Sequence, residues 1–84
     1  MEYFNHALES HYMQFLPRYL ADGVNVEIHY ELKNELTIIE DLPTIVEGEY
    51  MVVMFNYDFV QNGTYLIEVK GEDGLIFRTK AKAI

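Results

Sequence analysis

The sequence predicts an α+β fold, mainly β, in which an N-terminal helix packs on an antiparallel sheet or small β-sandwich of about five strands. Three observations support this prediction. Apolar residues recur at three- and four-residue steps over residues 2–21, which is typical of a helix. From Val24 the period changes to two, which is typical of strands. Two turn sequences, Gln61-Asn62-Gly63 and Glu72-Asp73-Gly74, each end in a glycine that a three-residue hairpin loop favours in the left-handed conformation.

The helix is predicted over about residues 2–21. Pro17 removes one helical hydrogen bond and crowds the preceding turn, so we expect a kink or a break there. Alternatively, Pro17 begins a short second helix, where its fixed φ is tolerated. At this length the chain is predicted to be a single domain over residues 1–84, with a helical segment (1–22) and an antiparallel β region (24–84). The apolar stripe of the helix comprises Tyr3, Phe4, Ala7, Leu8, His11, Tyr12, Phe15, Leu16, Tyr19 and Leu20.

Residues 24–47 are predicted to contain two strands. Residues 24–33 alternate between apolar and polar side chains, which indicates a strand with one solvated face. A turn at Lys33-Asn34-Glu35 leads into a second strand over residues 36–40. Residues 41–44 are predicted to be a loop, because Pro43 cannot donate a ladder hydrogen bond. The alternation leaves the strand order in this region open.

Residues 50–60, 64–71 and 75–83 are predicted to form a three-stranded antiparallel meander. A three-residue loop at 72–74 keeps apolar side chains on one face, whereas a two-residue loop would mix the two faces. The predicted pairs across this loop are Tyr65 with Ala81, Ile67 with Thr79, Glu68 with Arg78 and Val69 with Phe77. The same loop at 61–63 predicts Phe59 opposite Tyr65, Tyr57 opposite Ile67 and Phe55 opposite Val69.

The second face of this meander is predicted to be partly apolar. Val52, Met54, Leu66 and Ile76 lie there beside charged residues. Strands with apolar residues on both faces are usually covered twice, and one helix covers only one face. Either residues 24–47 form a second sheet, making a sandwich, or another molecule covers the remaining layer.

The segment from Gly63 to Val69, followed by Asp73-Gly74, resembles the last two strands of immunoglobulin-like and fibronectin-like β-sandwich domains. In that family a tyrosine opens the penultimate strand and its hydroxyl fixes the preceding corner, and Tyr65 occupies the matching position. Ile67 stands where the immunoglobulin cysteine would be, and the chain has no Trp for the usual core position. The resemblance covers residues 63–84. It implies adhesion, decoration or assembly. It also implies that the strands on either side of Asn62 belong to different sheets, whereas the predicted register pairs them with each other.

Composition restricts the classes of partner. The net charge is −8, and a chain this acidic is repelled by nucleic-acid phosphates and by anionic lipid surfaces. Without cysteine, neither disulfides nor thiolate zinc sites stabilise the fold. The chain carries 7 Tyr and 5 Phe in 84 residues, which is a large apolar load for a small interior. We therefore expect some apolar surface to contact a protein partner.

No secretory signal begins the chain, and its longest apolar run is far shorter than the roughly 20 residues that span a bilayer. We therefore expect a soluble protein of the cytoplasm or of a virus particle. Glu27, His29 and Glu31 share one strand face, but ligands on a straight strand converge poorly on a metal. No phosphate-binding loop or catalytic triad is present, and the paired carboxylates Glu40 and Asp41 lie in a predicted turn. We expect no catalytic residue, cofactor or metal.

Two functions follow from these observations. The first is a non-enzymatic structural or assembly module that self-associates or docks into a larger complex, such as a small virion or phage component. Its predicted contact residues are Tyr3, Phe4, Tyr12, Phe15, Tyr19, Val52, Met54, Leu66 and Ile76. The alternative is an acidic inhibitor that docks on a basic partner and could do so by imitating nucleic acid. Its predicted acidic face comprises Glu27, Glu31, Glu35, Glu40 and Asp41.

Overall fold

The computed structural model describes residues 1–84 and contains seven β-strands and no helix. The strands form one sheet in the order β1-β7-β6-β3-β4-β5-β2, and all pairs are antiparallel except β1 with β7. The strands are β1 (Glu2–Phe4), β2 (Ser10–Phe15), β3 (Gly23–Tyr30), β4 (Glu35–Glu47), β5 (Tyr50–Asn56), β6 (Thr64–Gly71) and β7 (Gly74–Ala83). The predicted α+β class, with about five strands, is therefore wrong.

The sheet curls into a nearly closed barrel. At the seam, where β2 meets β7, the rings of Phe15 and Phe77 stack with their centroids 4.4 Å apart. The N–H of Arg18 donates to the carbonyl of Ile76 at 3.0 Å. Since β1 pairs only with the end of β7, these contacts close the rest of the seam without a continuous ladder.

β4 joins the two halves of the barrel. Its residues from Glu35 to Pro43 pair with β3, and those from Thr44 to Glu47 pair with β5. We call β3, β6 and β7, with residues 35–43 of β4, the "β3–β6–β7 half". We call β2 and β5, with residues 44–47 of β4, the "β2–β4–β5 half". The predicted loop at 41–44 is wrong, because these residues continue the strand. Asp41 has a φ of 55° and the β3–β4 register shifts nearby, so Pro43 lies beside an irregularity of the kind that tolerates proline.

The predicted N-terminal helix (2–21), and with it the helical segment 1–22, is wrong. Residues 10–15 instead form β2, which pairs with β5 along its whole length. Its burial alternates strictly, so that His11, Met13 and Phe15 point into the core and the residues between them point outward. His11 and Phe15 suit a helical period as well as a strand period, and the ladder with β5 decides between them. Pro17 lies in an irregular segment after β2, so it neither kinks nor begins a helix.

The β6–β7 hairpin confirms the predicted pairs but not the predicted three-residue loop at 72–74. Gly71 pairs with Gly74, so the loop holds only Glu72 and Asp73, and a register irregularity between Val69 and Lys70 restores the predicted pairs beyond it. All four predicted pairs are present, including Glu68 opposite Arg78 and Val69 opposite Phe77. Gly74 has a φ of 103°, which is a left-handed conformation that glycine adopts without strain.

The predicted pairing of residues 50–60 with β6 is wrong. β5 ends at Asn56 and pairs with β2 and β4, whereas β6 pairs with β3 and β7. Residues 57–63 cross between the two halves of the barrel. Asn62, rather than Gly63, takes the left-handed conformation there, with a φ of 65°. The immunoglobulin-like resemblance stays a prediction.

The core fills the barrel with 17 buried hydrophobic residues. Aliphatic side chains of β3 and β6 form its centre, among them Val26, Ile28 and Ile67, all without exposed surface. Aromatic rings occupy the end near the 57–63 crossing, where Phe4 stacks on Phe59 at 4.7 Å. Because both halves contribute inward residues, the chain buries one continuous core.

Candidate interaction surface

The outer face of the β2–β4–β5 half exposes apolar side chains on three adjacent strands. Tyr12 lies opposite Met54, and Val52 lies between Gln14 and Ile45. The exposed fractions are 67% for Tyr12, 58% for Met54 and 45% for Ile45. We call this surface, formed by the outward residues Ser10, Tyr12, Gln14, Ile45, Val52 and Met54, the charge-free face.

The charge-free face is built from strand segments that contain no charged residue. The segments 10–15, 42–46 and 50–56 contain no Asp, Glu, Lys or Arg, although 24% of the chain is charged. Carboxylates appear only where these segments end. The five nearest are all exposed: Glu9, Asp41, Glu47, Glu49 and Asp58. The result is an uncharged centre with acidic residues at both ends of its strands.

A shallow cavity of about 370 Å³ opens at one end of this face. Tyr12 and Met54 line it together with Leu42, and His11 lies at its floor. Ser10 and Asn56 form a polar border, where the Ser10 hydroxyl donates to Asn56 Oδ1 at 2.9 Å. The cavity therefore offers apolar walls and one polar edge to a side chain of a partner.

His11 is used in the core. Its Nε2 lies 3.0 Å from the carbonyl oxygen of Tyr57, and since a carbonyl only accepts, Nε2 carries the hydrogen and donates. Phe4 and Phe59 contact the ring edge-on, with centroids 5.3 Å and 4.8 Å away. The imidazole thus holds the start of β2 against the 57–63 crossing.

The outer face of the β3–β6–β7 half is charged instead. Glu27 and Glu68 lie directly opposite each other on β3 and β6. Lys70 Nζ approaches Glu27 at 3.1 Å, and Arg78 Nη2 approaches Glu68 at 2.8 Å. Both ion pairs of the sheet therefore lie on this half of the barrel.

The structure brings three of the predicted contact residues together: Tyr12, Val52 and Met54. Phe4, Phe15 and Ile76 are buried, with at most 5% exposed. The predicted apolar layer of Val52, Met54, Leu66 and Ile76 is not one surface, because Leu66 lies outward on the other half and Ile76 lies in the core.

Tyr3 and Tyr19 lie apart from this face. Tyr3 is 59% exposed on β1. The Tyr19 hydroxyl donates to the Gly74 carbonyl at 2.8 Å and accepts from the Asp73 N–H at 3.1 Å, so it anchors the β6–β7 turn. Sequence reasoning missed Gln14 and Ile45. The absence of charge from 42–46 and 50–56 was the signal that could have found this surface.

The predicted acidic face is not brought together. Glu31 and Glu35 flank the β3–β4 turn, while Glu40 and Asp41 lie toward the other end of that hairpin. Glu40 lies five residue steps along the strand from Glu35, which corresponds to about 16 Å. Glu27 lies between them and pairs with Lys70.

A second cavity, of about 500 Å³, lies beside the β6–β7 turn. Asp22, Asp41, Glu72 and Asp73 line it together with Lys70. No group of three or more His, Cys, Asp or Glu side chains is arranged to hold a metal ion. Of the strand residues weighed as ligands, His29 bonds through Nε2 to Asn34 Oδ1 at 2.7 Å.

The structure has no helix long and apolar enough to cross a membrane. Comparison of the chain with protein-family models, with curated proteins and with solved structures found no match.

Proposed function

We propose that this chain is a non-enzymatic structural or assembly module that binds protein through the charge-free face. One observation carries the proposal: the uncharged segments 10–15, 42–46 and 50–56, on three adjacent strands, present exposed apolar side chains in a chain of net charge −8. Contiguous exposed apolar patches on soluble proteins commonly mark interaction sites.

The composition of the face fits a protein contact. Tyrosine and methionine are enriched at interfaces, whereas lysine, glutamate and aspartate are depleted there. Tyr12 and Met54 occupy the most exposed apolar positions of this face. The bordering carboxylates correspond to the polar rim that surrounds such centres.

The face is also held rigidly. Beneath it, the inward residues Met13, Met51 and Val53 are at most 1% exposed. Because the strands are paired and their undersides packed, a partner meets a preformed surface and ordering it on binding costs little entropy. A subunit of a larger particle, including a virus or phage particle, is the kind of assembly that this proposal covers.

Site-specific photo-crosslinking tests the proposal. A benzophenone amino acid replaces Tyr12 on the charge-free face or, as the matched control, Lys80 on the outer face of the other half. Both chains are expressed in cells that produce the protein naturally and are irradiated. We expect protein adducts from position 12 and few from position 80. No adducts at position 12, or equal labelling at both positions, would contradict the proposal.

A further inference from the structure

We infer that the charge-free face binds a second copy of this chain, face to face about a two-fold axis. The inference rests on the proposed function, because it names the partner of the same surface.

Charge is the first argument for a second copy. Two chains of net charge −8 repel each other, so they meet most readily where neither presents a carboxylate. The segments 10–15, 42–46 and 50–56 provide such a surface. The opposite half of the barrel does not, because Glu27, Glu68 and Arg78 lie outward there.

The chemistry of the face also restricts its occupant. A basic surface laid over the centre of the face would place ammonium or guanidinium groups against Tyr12 and Met54, with no carboxylate to pair with them. Burying such unpaired charges is costly. The occupant is therefore apolar and uncharged at its own centre. A second charge-free face has this property and the matching width of three strands.

Two-fold symmetry places the middle strand at the centre of the contact. β5 lies between β4 and β2 in the sheet. A two-fold axis through the middle of the interface puts β5 against its own copy, with the sheets about 10 Å apart as in a sandwich. Each outward residue of β5 then enters the contact twice, so a change at Met54 acts on both sides.

Area sets the strength of the contact. Three strand segments of five to seven residues cover on the order of 300 Å² of flat sheet, given the usual strand spacing and rise per residue. Stable complexes bury about 800 Å² per partner. We therefore expect a weak, concentration-dependent dimer of chains that are already folded, and not an obligate one.

Sedimentation equilibrium of the purified chain tests this inference, from about 10 μM to about 1 mM at low and high salt. We expect the mass to rise from one chain toward two. The dimer fraction should increase with salt, because salt screens the repulsion between the carboxylates around the two faces. An acidic chain docking on basic groups would dissociate with salt instead.

Two variants locate the contact. Met54→Lys places a charge at the centre of the charge-free face, and we expect it to shift the dimer dissociation constant upward at least tenfold. Ile38→Lys is the matched control, because Ile38 is 49% exposed on an outer strand face of the other half and Met54 is 58% exposed. The control should dimerise as the wild type does. Circular dichroism checks that both variants are folded.

Several results would overturn the inference. These are a wild-type chain that stays monomeric at every concentration and salt, a dimer that survives Met54→Lys, a dimer lost equally in Ile38→Lys, or a mass that grows past two chains. A monomeric chain that still forms adducts with another protein from position 12 would leave the proposed function standing and remove only the second copy. A monomer without adducts would remove both.

Discussion

The hydroxyl of Tyr65 accepts a hydrogen bond from the backbone N–H of Val60 at 2.8 Å. Tyr65 has no exposed surface, stacks on Tyr30 at 4.8 Å and meets the edge of Phe59 at 4.9 Å. The Tyr65 side chain, at the start of β6, thus fixes the 57–63 crossing from the β2–β4–β5 half to the β3–β6–β7 half. The relative position of the two halves depends on this contact.

Tyr65→Phe removes the acceptor and leaves the Val60 N–H without its partner. An unpaired, partly buried donor costs about 1–3 kcal/mol, and we expect the free energy of unfolding to fall by that amount. Urea denaturation measures it. Tyr12→Phe is the control, because Tyr12 is 67% exposed and surface changes usually stay within about 0.5 kcal/mol. Equal effects of the two substitutions would show that the Tyr65 hydroxyl does not hold the crossing.

Gly63→Ala should destabilise the same crossing through sterics. A Cβ at this position would lie 2.8 Å from the Val60 carbonyl oxygen and 3.0 Å from the Tyr65 hydroxyl. Because the closest atom is backbone, the crossing itself must move, and we expect a loss of about 1–3 kcal/mol in thermal or urea unfolding. At Gly23 the nearest atom to a new Cβ is 3.9 Å away, so Gly23→Ala should be nearly neutral. A neutral Gly63→Ala would contradict the tight packing described here.

The β6–β7 register could be predicted from sequence because local rules agree there. Alternation fixes which side chains share a face, and a one-residue slip would mix the faces. The turn glycine, Gly74, then marks the position of the hairpin, although Gly71 pairs with Gly74 and the loop holds two residues instead of the predicted three. The predicted pairing of Glu68 with Arg78 is still correct, because the irregularity between Val69 and Lys70 compensates for the shorter loop.

The N-terminal strands could not be predicted in this way. Phe4, His11 and Phe15 recur at spacings that suit a helix, and His11, Met13 and Phe15 also alternate as a strand does. The choice depends on a partner far away in the chain, because β2 pairs with β5 some 40 residues later. Nor could the turn sequence at 61–63 reveal that the preceding strand, β5, does not pair with β6.

The candidate surface was predicted in part. Tyr12, Val52 and Met54 were singled out for their apolar character, but the predicted elements placed Tyr12 on a helix and the other two on a meander. Their adjacency is a property of the β2–β5 ladder. Ile76 was expected to be outward by alternation, yet the register irregularity between Val69 and Lys70 accompanies its burial. A bulge shifts the alternation beyond it, and no residue pattern in this hairpin predicted one.

The paired charges on the outer face of the other half make a further test. Arg78 donates to Glu68 Oε2 from both Nε and Nη2, at 3.0 Å and 2.8 Å. Arg78→Met would leave Glu68 facing Glu27 across the ladder without its cation. Since like charges directly opposite each other are destabilising and Arg78 is itself half exposed, we expect a loss of about 1 kcal/mol at most.

Salt and a second substitution isolate this electrostatic effect. The loss in Arg78→Met should shrink at high salt, because screening weakens the repulsion between the two carboxylates. Adding Glu68→Gln in the same chain should restore part of the stability. Lys80→Met, on the same strand but without a carboxylate partner, is the control and should stay within about 0.5 kcal/mol of wild type. A loss in Arg78→Met that neither salt nor Glu68→Gln reduces would argue against the charge pair as its cause.

Two buried phenols make the stability of the fold sensitive to alkaline pH. Burial raises the pKa of both Tyr57 and Tyr65 above the ordinary value of 10.0, and this effect outweighs the hydrogen bonds from Thr37 and Val60 that lower it. In the unfolded chain these hydroxyls lose their protons near the ordinary value, while the folded chain still holds them. The stabilising contribution is therefore complete below about pH 10 and is lost as pH rises through the higher folded pKa values.

Urea denaturation at a series of pH values from about 8 to about 11.5 measures this dependence. We expect the free energy of unfolding to fall above about pH 10, and the absorbance change of tyrosinate in the folded chain to include a late phase from these two residues. Tyr57→Phe and Tyr65→Phe should each flatten the fall, because each removes one titrating group, whereas Tyr12→Phe should leave its slope unchanged. The free energy of unfolding could instead stay constant or rise over this range, or its slope could be the same in Tyr57→Phe and Tyr65→Phe as in the wild type. Either result would show that the two hydroxyls are exposed to water and not buried.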